Sequence, residues 1–240
     1  MQIRINGQLL LLMLAEKLIA IGCKIIQANT DGLFVLRKKK DEEQFKAVCK
    51  WWENLTKLEL EEDRFERFYQ FAINDYLGVV EGYSKSKDPK LLKKKGLFID
   101  SVTLGKGMNA MIIPKAVNAY FANGTPVEET IRNSTNLNDF ITYQKVSKDF
   151  KVEYNNRIIQ RINRYYCSTN GPYLYKCRTN KDGGRYGYIN MLKASGVTIC
   201  NNLDEFKDFP ININYRYYIV EANKIINQLC IQQGNLFDVF

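Results

Sequence analysis

Apolar residues crowd the segment GQLLLLMLAEKLIAIG at residues 7–22 and change period immediately afterwards. Their density predicts a helix from Asn6, its N-cap, to Ile21, with Gly22 as the residue that stops it and burial on most sides. Two short apolar runs follow, Ile25-Ile26 and Leu33-Phe34-Val35, around the polar turn Asn29-Thr30-Asp31-Gly32. β-Branched and aromatic runs on either side of Asp-Gly predict a tight hairpin with Asp31 at its tip. Asp41-Glu42-Glu43 then opens a second helix, where Phe45, Val48, Cys49 and Trp52 recur at helical spacing and should pack on the sheet that carries Asp31.

From Lys57 to about Ile99 the chain reads as strand, with Phe65, Phe68, Tyr69, Phe71, Tyr76, Val79 and Val80 completing an antiparallel layer beside the hairpin. Between Lys85 and Lys95 lie six lysines and one acid, Asp88, with Pro89 marking a loop. Beyond residue 100 the texture changes. Gly105 and Gly107 make a flexible joint, and Pro114 and Pro126 fall in the first turns of two helices separated by Gly124. Thr125 and Glu128 have capping-box spacing, so 112–134 reads as a helical hairpin. Residues 143–200 are rich in tyrosine and basic residues, with a β-hairpin expected around Asp182-Gly183-Gly184. A last helix is expected over about 214–230, with Tyr218, Ile225, Ile226 and Leu229 as its apolar stripe. The fold class is α+β: an antiparallel sheet with packed helices, followed by a mainly helical region.

At 240 residues and 45% hydrophobic content the chain can bury an adequate core. Its 35 Lys and Arg against 26 Asp and Glu give a net charge of +9, which suits a polyanionic partner such as nucleic acid. The six cysteines are scattered with no Cys-x-x-Cys pair, and there is no histidine. That composition removes His-based general bases, catalytic triads and His-containing metal sites, and leaves carboxylates, lysines and metal for any chemistry. Leu9–Ala15 is interrupted by Glu16 and Lys17, well short of the ~20 apolar residues of a membrane span. No small-residue cleavage site follows it, so a soluble, cytoplasmic protein with reduced thiols and no membrane partner is expected.

A carboxylate fixed on a rigid hairpin suits Mg²⁺, which takes one or two protein carboxylates together with substrate phosphates. An Asp-Gly hairpin alone only turns the chain, and the context decides. RINGQLLLLMLAEKL, IIQANTDGLFV, AINDYLGVV and KKKGLFI, in this order and spacing, resemble the carboxy-terminal palm and thumb of a family B DNA polymerase of the bacteriophage type. The resemblance covers nearly the whole chain and is strongest over residues 4–125. It implies the end of a palm over 1–104 and a thumb over 105–240. In that family the hairpin is usually Asp-Thr-Asp-Ser, and the second aspartate, matched by Asp31, is the catalytic metal ligand. Asn29 and Gly32 depart from the pattern. Lys93, Lys94 and Lys95 with Gly96 match a Lys-Lys-Arg-Tyr element that lies along the primer-template minor groove, and Thr30 and Lys106 are further DNA contacts by the same resemblance. Gly96 stands in place of the tyrosine. Asn74-Asp75-Tyr76 is similar to a segment beside the family's active site, although a strand-end aspartate such as Asp75 more often makes turn hydrogen bonds than holds metal.

The resemblance implies template-directed DNA synthesis on primer-template DNA and dNTP, in the host cytoplasm if the chain is phage-encoded, with two Mg²⁺ ions clamping attacking and leaving oxygens. One aspartate cannot hold both ions, and the family's other metal-binding carboxylate and its triphosphate-binding lysine lie upstream of the motifs present here. The expectation is part of a complete or split polymerase, inactive alone, that relies on an upstream segment or subunit. The tail from Gln233 to Phe240 resembles short peptides that dock on sliding clamps, against which packing on its own thumb is weighed. Two alternatives remain open: a non-catalytic nucleic-acid-binding protein, and the palm of an RNA polymerase or reverse transcriptase.

Overall fold

The computed structural model describes residues 2–30, 32–101, 107–192, 196–202 and 208–237. The chain divides into two compact units, Met1–Arg64 and Phe65–Phe240.

In the first unit, helix α1 (Gln2–Ala20) leads to strands β1 (Lys24–Ala28) and β2 (Leu33–Leu36), then helix α2 (Glu42–Thr56). α1 starts ahead of Asn6, so that residue lies inside the helix rather than at its cap. Its end is as expected: Gly22 takes φ 87°, its N–H donates to Ile19 O at 2.9 Å, and Cys23 N–H reaches Leu18 O at 3.0 Å. This left-handed turn closes the last carbonyls of the helix. β1 and β2 pair antiparallel in a two-stranded sheet of their own. The layer expected to extend the hairpin with residues 65–99 instead forms a separate sheet in the second unit. Leu14, Leu18, Cys23 and Trp52 form a buried cluster here, with Ile25, Leu33, Val35, Phe45 and Val48 packed around them, so α2 does lie on the hairpin sheet. The Trp52 indole N–H donates to Leu10 O at 2.8 Å, satisfying its polar edge inside the core. Burial of α1 on most sides is not found: Leu9 is 57% exposed and Leu12 54%, with Ile5 and Ile19 exposed on the same side. The residues that α1 turns toward the hairpin and α2 cover one stripe, while its leucines run all the way round.

Among its described residues the second unit holds three antiparallel sheets. β3 (Phe65–Ala72), β4 (Asp75–Val80) and β5 (Leu92–Lys95) form the first, in the order β3-β4-β5, with the short helix α3 (Tyr83–Ser86) between β4 and β5. After β6 (Gly107–Met108) come helices α4 (Ile112–Asn123) and α5 (Val127–Asn133), separated by Gly124 at φ 74°. This is the expected helical hairpin, but Pro126 rather than Thr125 is the N-cap of α5 and no side-chain cap forms, so the capping box is absent. Seven strands follow: β7 (Thr142–Lys145), β8 (Lys151–Tyr154), β9 (Arg157–Ile159), β10 (Ile162–Ser168), β11 (Leu174–Thr179), β12 (Arg185–Asn190) and β13 (Gly196–Ile199). With β6 they make two four-stranded sheets, ordered β13-β10-β7-β6 and β12-β11-β8-β9. Helix α6 (Tyr215–Phe237) ends the described chain. The class is α+β as expected, but the region after residue 105 is not mainly helical. Its basic, tyrosine-rich part is regular sheet, and the β11–β12 hairpin turns at 180–184 with Asn180 N–H bonded to Gly184 O at 2.9 Å.

One core joins most of these elements: Leu77 and Phe98 share it with Ile112, Val117 and Ile131 of the helical hairpin, Phe140, Tyr166 and Cys167 of the sheet side, and Tyr218, Ala222, Ile226 and Leu229 of α6, while Val152 and Leu174 of the β12-β11-β8-β9 sheet pack with Val146, Tyr165 and Val197. The core therefore runs across residue 104, where the resemblance draws a palm–thumb border. At its centre the Tyr218 hydroxyl accepts from Cys167 N–H and donates to Phe140 O, both at 2.8 Å. Burial holds its pKa well above the ordinary value, and the two bonds complete its polar requirement.

Candidate nucleic-acid and metal site

The hairpin tip is a tight turn. Asn29 N–H donates to Gly32 O at 3.0 Å, Ala28 stands opposite Leu33, and Thr30 is exposed at the bend. Asp31 itself lies outside the described residues, as does Lys106. Behind the turn, the strands are braced by Trp52 and Leu18, and Gln27 is buried. The basic run after β2 is solvated at Lys38, Lys39 and Lys40, while Arg37 donates to Glu42 at 2.8 Å. Arg64, Arg37 and Lys46 converge on Glu42 and hold its carboxyl down at about 2, far below its ordinary 4.5.

The three lysines of β5 do not act together. Strand alternation puts Leu92 and Lys94 on one side and Lys93 and Lys95 on the other. Lys94 Nζ donates to both carboxylate oxygens of Asp100, at 2.9 and 2.7 Å, and Asn118 Nδ2 donates to Asp100 Oδ2 at 2.8 Å and to Phe98 O at 2.8 Å. Lys94 thus ties β5 to α4. Lys93 stands opposite Gly78 and Lys95 opposite Tyr76, and the Lys95 ammonium lies 5.8 Å from the Tyr76 ring centre. Across β4, Phe68 stands opposite Gly78 on this same side. The Phe65 and Phe68 rings are 5.4 Å apart, and those of Phe68 and Tyr76 5.2 Å apart. Gly78 has to be glycine here, since a Cβ would come within 2.4 Å of the Phe65 ring. Lys93 and Lys95 therefore flank a row of aromatic rings on a rigid sheet.

Gly96 and Asp75 explain one another. Gly96 has φ 58°, and a Cβ there would lie 1.8 Å from Asp75 Oδ1 and 2.3 Å from Asn74 O. The Asp75 carboxylate accepts from Leu97 N–H at 2.9 Å, the turn hydrogen bond expected of it. A side chain at 96 has no room beside this turn.

Among the described residues, no three His, Cys, Asp or Glu side chains gather where a metal ion could sit. The six cysteines form no disulfide, and burial pushes the Cys49 thiol up to about 11 and the Cys200 thiol up to about 12, which leaves little thiolate at neutral pH. No helix among the described residues is long and apolar enough to cross a membrane. Backbone of 233–237 continues α6, and the rest of the tail matched to clamp peptides lies outside the described residues. Sequence reading grouped Lys93, Lys94 and Lys95 as one patch; a period of two applied to the predicted strand separates them. Tyr173, Tyr175 and Tyr188 fall in the tyrosine- and arginine-rich stretch 154–188, where residue type alone does not separate a surface face from a core one. No family model, no curated protein and no solved structure matches this chain.

Proposed function

We propose that this chain is part of a template-directed DNA polymerase acting in the cytoplasm, and that its share of the work is to grip primer-template DNA and to contribute one carboxylate, Asp31. The observation that carries the proposal is the Lys93–Lys95 side of the β3-β4-β5 sheet, where two cations on a rigid strand flank packed aromatic rings. Cations so placed neutralise backbone phosphates without reading sequence, as a replicative grip requires. The hairpin adds support, since its closed turn fixes the backbone on both sides of Asp31. Asp31 would be one ligand of the Mg²⁺ that such an enzyme uses, and the metal would supply charge neutralisation at the transferring phosphoryl group. The remaining ligands and the dNTP-binding groups come from an upstream segment or subunit, so no catalytic step is assigned to this chain by itself. The exposed Ile5, Leu9, Leu12 and Ile19 of α1 are an apolar surface of the kind such a segment would cover.

Fluorescence anisotropy with a recessed primer-template duplex tests the grip. The Lys93→Ala/Lys95→Ala double variant should bind about tenfold more weakly at low salt and lower the log–log salt slope by about two, one for each phosphate that a lysine no longer neutralises. Lys94→Ala should leave that slope unchanged, because its partner is Asp100. Wild-type binding without salt dependence, or a slope unchanged in the double variant, sinks the proposal. A non-catalytic nucleic-acid-binding protein is the second reading, favoured by Asn29 in place of an acid. It predicts that Mg²⁺ with the matched dNTP tightens primer-template binding no more in wild type than in Asp31→Ala.

A further inference from the structure

The outer sheet of the second unit carries a surface that the polymerase reading does not use. Tyr175 of β11 stands opposite Glu153 of β8 and Asn190 of β12, so these residues share one side, with Tyr173, Cys177 and Tyr188 by alternation. Tyr173 and Tyr175 have ring centres 6.2 Å apart, and Tyr175 and Tyr188 5.9 Å apart, so three rings form a continuous row. Tyr173 and Tyr188 are about half exposed, at 49% and 47%.

Buried tyrosines usually put their hydroxyls on partners; here the rings themselves are at the surface. Their positions are held from below. Glu153, nearly buried, accepts from Arg185 and from the Tyr188 hydroxyl at 3.1 Å, which fixes the end of the row and neutralises the one acid in it. Lys151 stands opposite Cys177 on the same side and is exposed. The surrounding charge has one sign: residues 143–190 contain ten Lys and Arg against three Asp and Glu, a net +7 out of +9 for the chain.

We infer that the Tyr173–Tyr175–Tyr188 face binds single-stranded nucleic acid, by stacking unpaired bases on the rings and drawing the strand's phosphates to the basic rim. A duplex hides its base faces and has no use for a row of flat rings, whereas every unpaired base has one to offer, whatever its sequence. The rigid antiparallel sheet presents the rings without an ordering cost, and the excess of positive charge is complementary to a strand backbone rather than to an apolar protein surface. Nothing in this inference needs metal or Asp31, so it stands or falls apart from the proposed polymerase role.

The test uses the whole chain and fluorescein-labelled oligo(dT), oligo(U) and a blunt duplex of equal length, followed by anisotropy. Tyr173→Leu/Tyr175→Leu should weaken oligo(dT) or oligo(U) binding by at least about tenfold, in line with the stacking removed per base, and leave duplex binding within twofold. Tyr173→Phe/Tyr175→Phe keeps the rings and should bind as wild type does. The better-bound homopolymer identifies DNA or RNA as the strand. Binding of both homopolymers unchanged in the leucine variant overturns the inference, as does an equal loss on duplex or an equal loss in the phenylalanine variant. Tyr173→Leu alone, at a half-exposed position, serves if the double variant unfolds. Retained tyrosine-dependent oligo(dT) binding alongside a Lys93→Ala/Lys95→Ala variant that grips primer-template normally would remove the polymerase grip and leave this face intact.

Discussion

Residues 65–240 and residues 1–64 satisfy themselves in opposite ways. The larger unit closes its interior with buried rings whose polar atoms are paired inside it: Tyr218 bridges Cys167 and Phe140, Tyr166 donates to Asn212 at 2.8 Å, and Tyr165 donates to Gln144 at 2.7 Å. The smaller unit buries only Leu14, Ala15, Leu18, Cys23, Gln27 and Trp52 among its described residues, leans on a surface knot of charge around Glu42, and leaves leucines of α1 in water. One unit has its candidate binding faces laid over a finished core, and the other has its hairpin turn on a scaffold with exposed apolar residues.

Among substitutions of polar groups, the largest effect should come from breaking the interior pairing of the larger unit. Tyr218→Phe keeps the ring but strips the hydroxyl, removing the hydrogen bonds it makes with Cys167 N–H and Phe140 O in the core, at a cost of about 1–3 kcal/mol. Urea unfolding followed by far-UV circular dichroism reads this directly as a lower midpoint with little change in slope. A midpoint unchanged from wild type would mean that the two backbone groups find other partners, and that the larger unit is less closely specified than its hydrogen bonds suggest.

How much of this was legible in the sequence follows the range over which each signal acts. The hairpin at 29–32, the start of α2 at Glu42, the Gly22 and Gly124 stops and the Tyr218–Leu229 stripe are set by neighbours in sequence, and they read correctly. Two local signals failed, the Asn6 cap and the Thr125–Glu128 capping box, and the rest of what failed depended on long-range pairing. Nothing near residues 65–80 tells that these strands pair with Leu92–Lys95 rather than with the hairpin, or that Phe98 joins a core with Ile131 and Leu229. The two four-stranded sheets at 107–199 were hidden because tyrosine serves core and surface alike, and only register assigns Tyr165 to the interior and Tyr175 to the outer face. For the site, residue types were legible but sides were not. Lys94 and Lys93 are adjacent in sequence and serve different ends, one on Asp100 and one beside the aromatic row.

A smaller effect is expected from the charge knot of the lesser unit. Glu42 accepts from Arg64, Arg37 and Lys46, and those bonds lower its carboxyl to about 2 from an ordinary 4.5. A folded-state value below the unfolded one means that the stabilisation is fully present above about 4.5 and is lost as the pH falls toward about 2. Glu42→Gln removes the titrating group, so its stability should be lower than wild type at neutral pH and converge with wild type in acid. Because the knot is at the surface, moderate salt should shrink the difference. Thermal unfolding from neutral pH down to about 2, with and without added NaCl, measures both trends; a gap that stays constant with pH would assign the role of Glu42 to shape rather than charge.

The smallest change in stability should accompany the most informative substitution. Leu9→Gln/Leu12→Gln alters two exposed positions of α1, so unfolding should shift by no more than about 0.5 kcal/mol, whereas Leu14→Ala on the covered side should cost about 2–5 kcal/mol. The same double variant should also reduce self-association in sedimentation velocity, since exposed leucines are the adhesive part of that helix. A loss of stability comparable to that of Leu14→Ala would show that Leu9 and Leu12 are covered in solution, and would erase the contrast between the two units. Unchanged stability with less self-association would keep it: a helix whose apolar face contributes nothing to its own fold is free to be selected for what it meets, and in this chain that face lies in the same compact unit as the Asp31 turn.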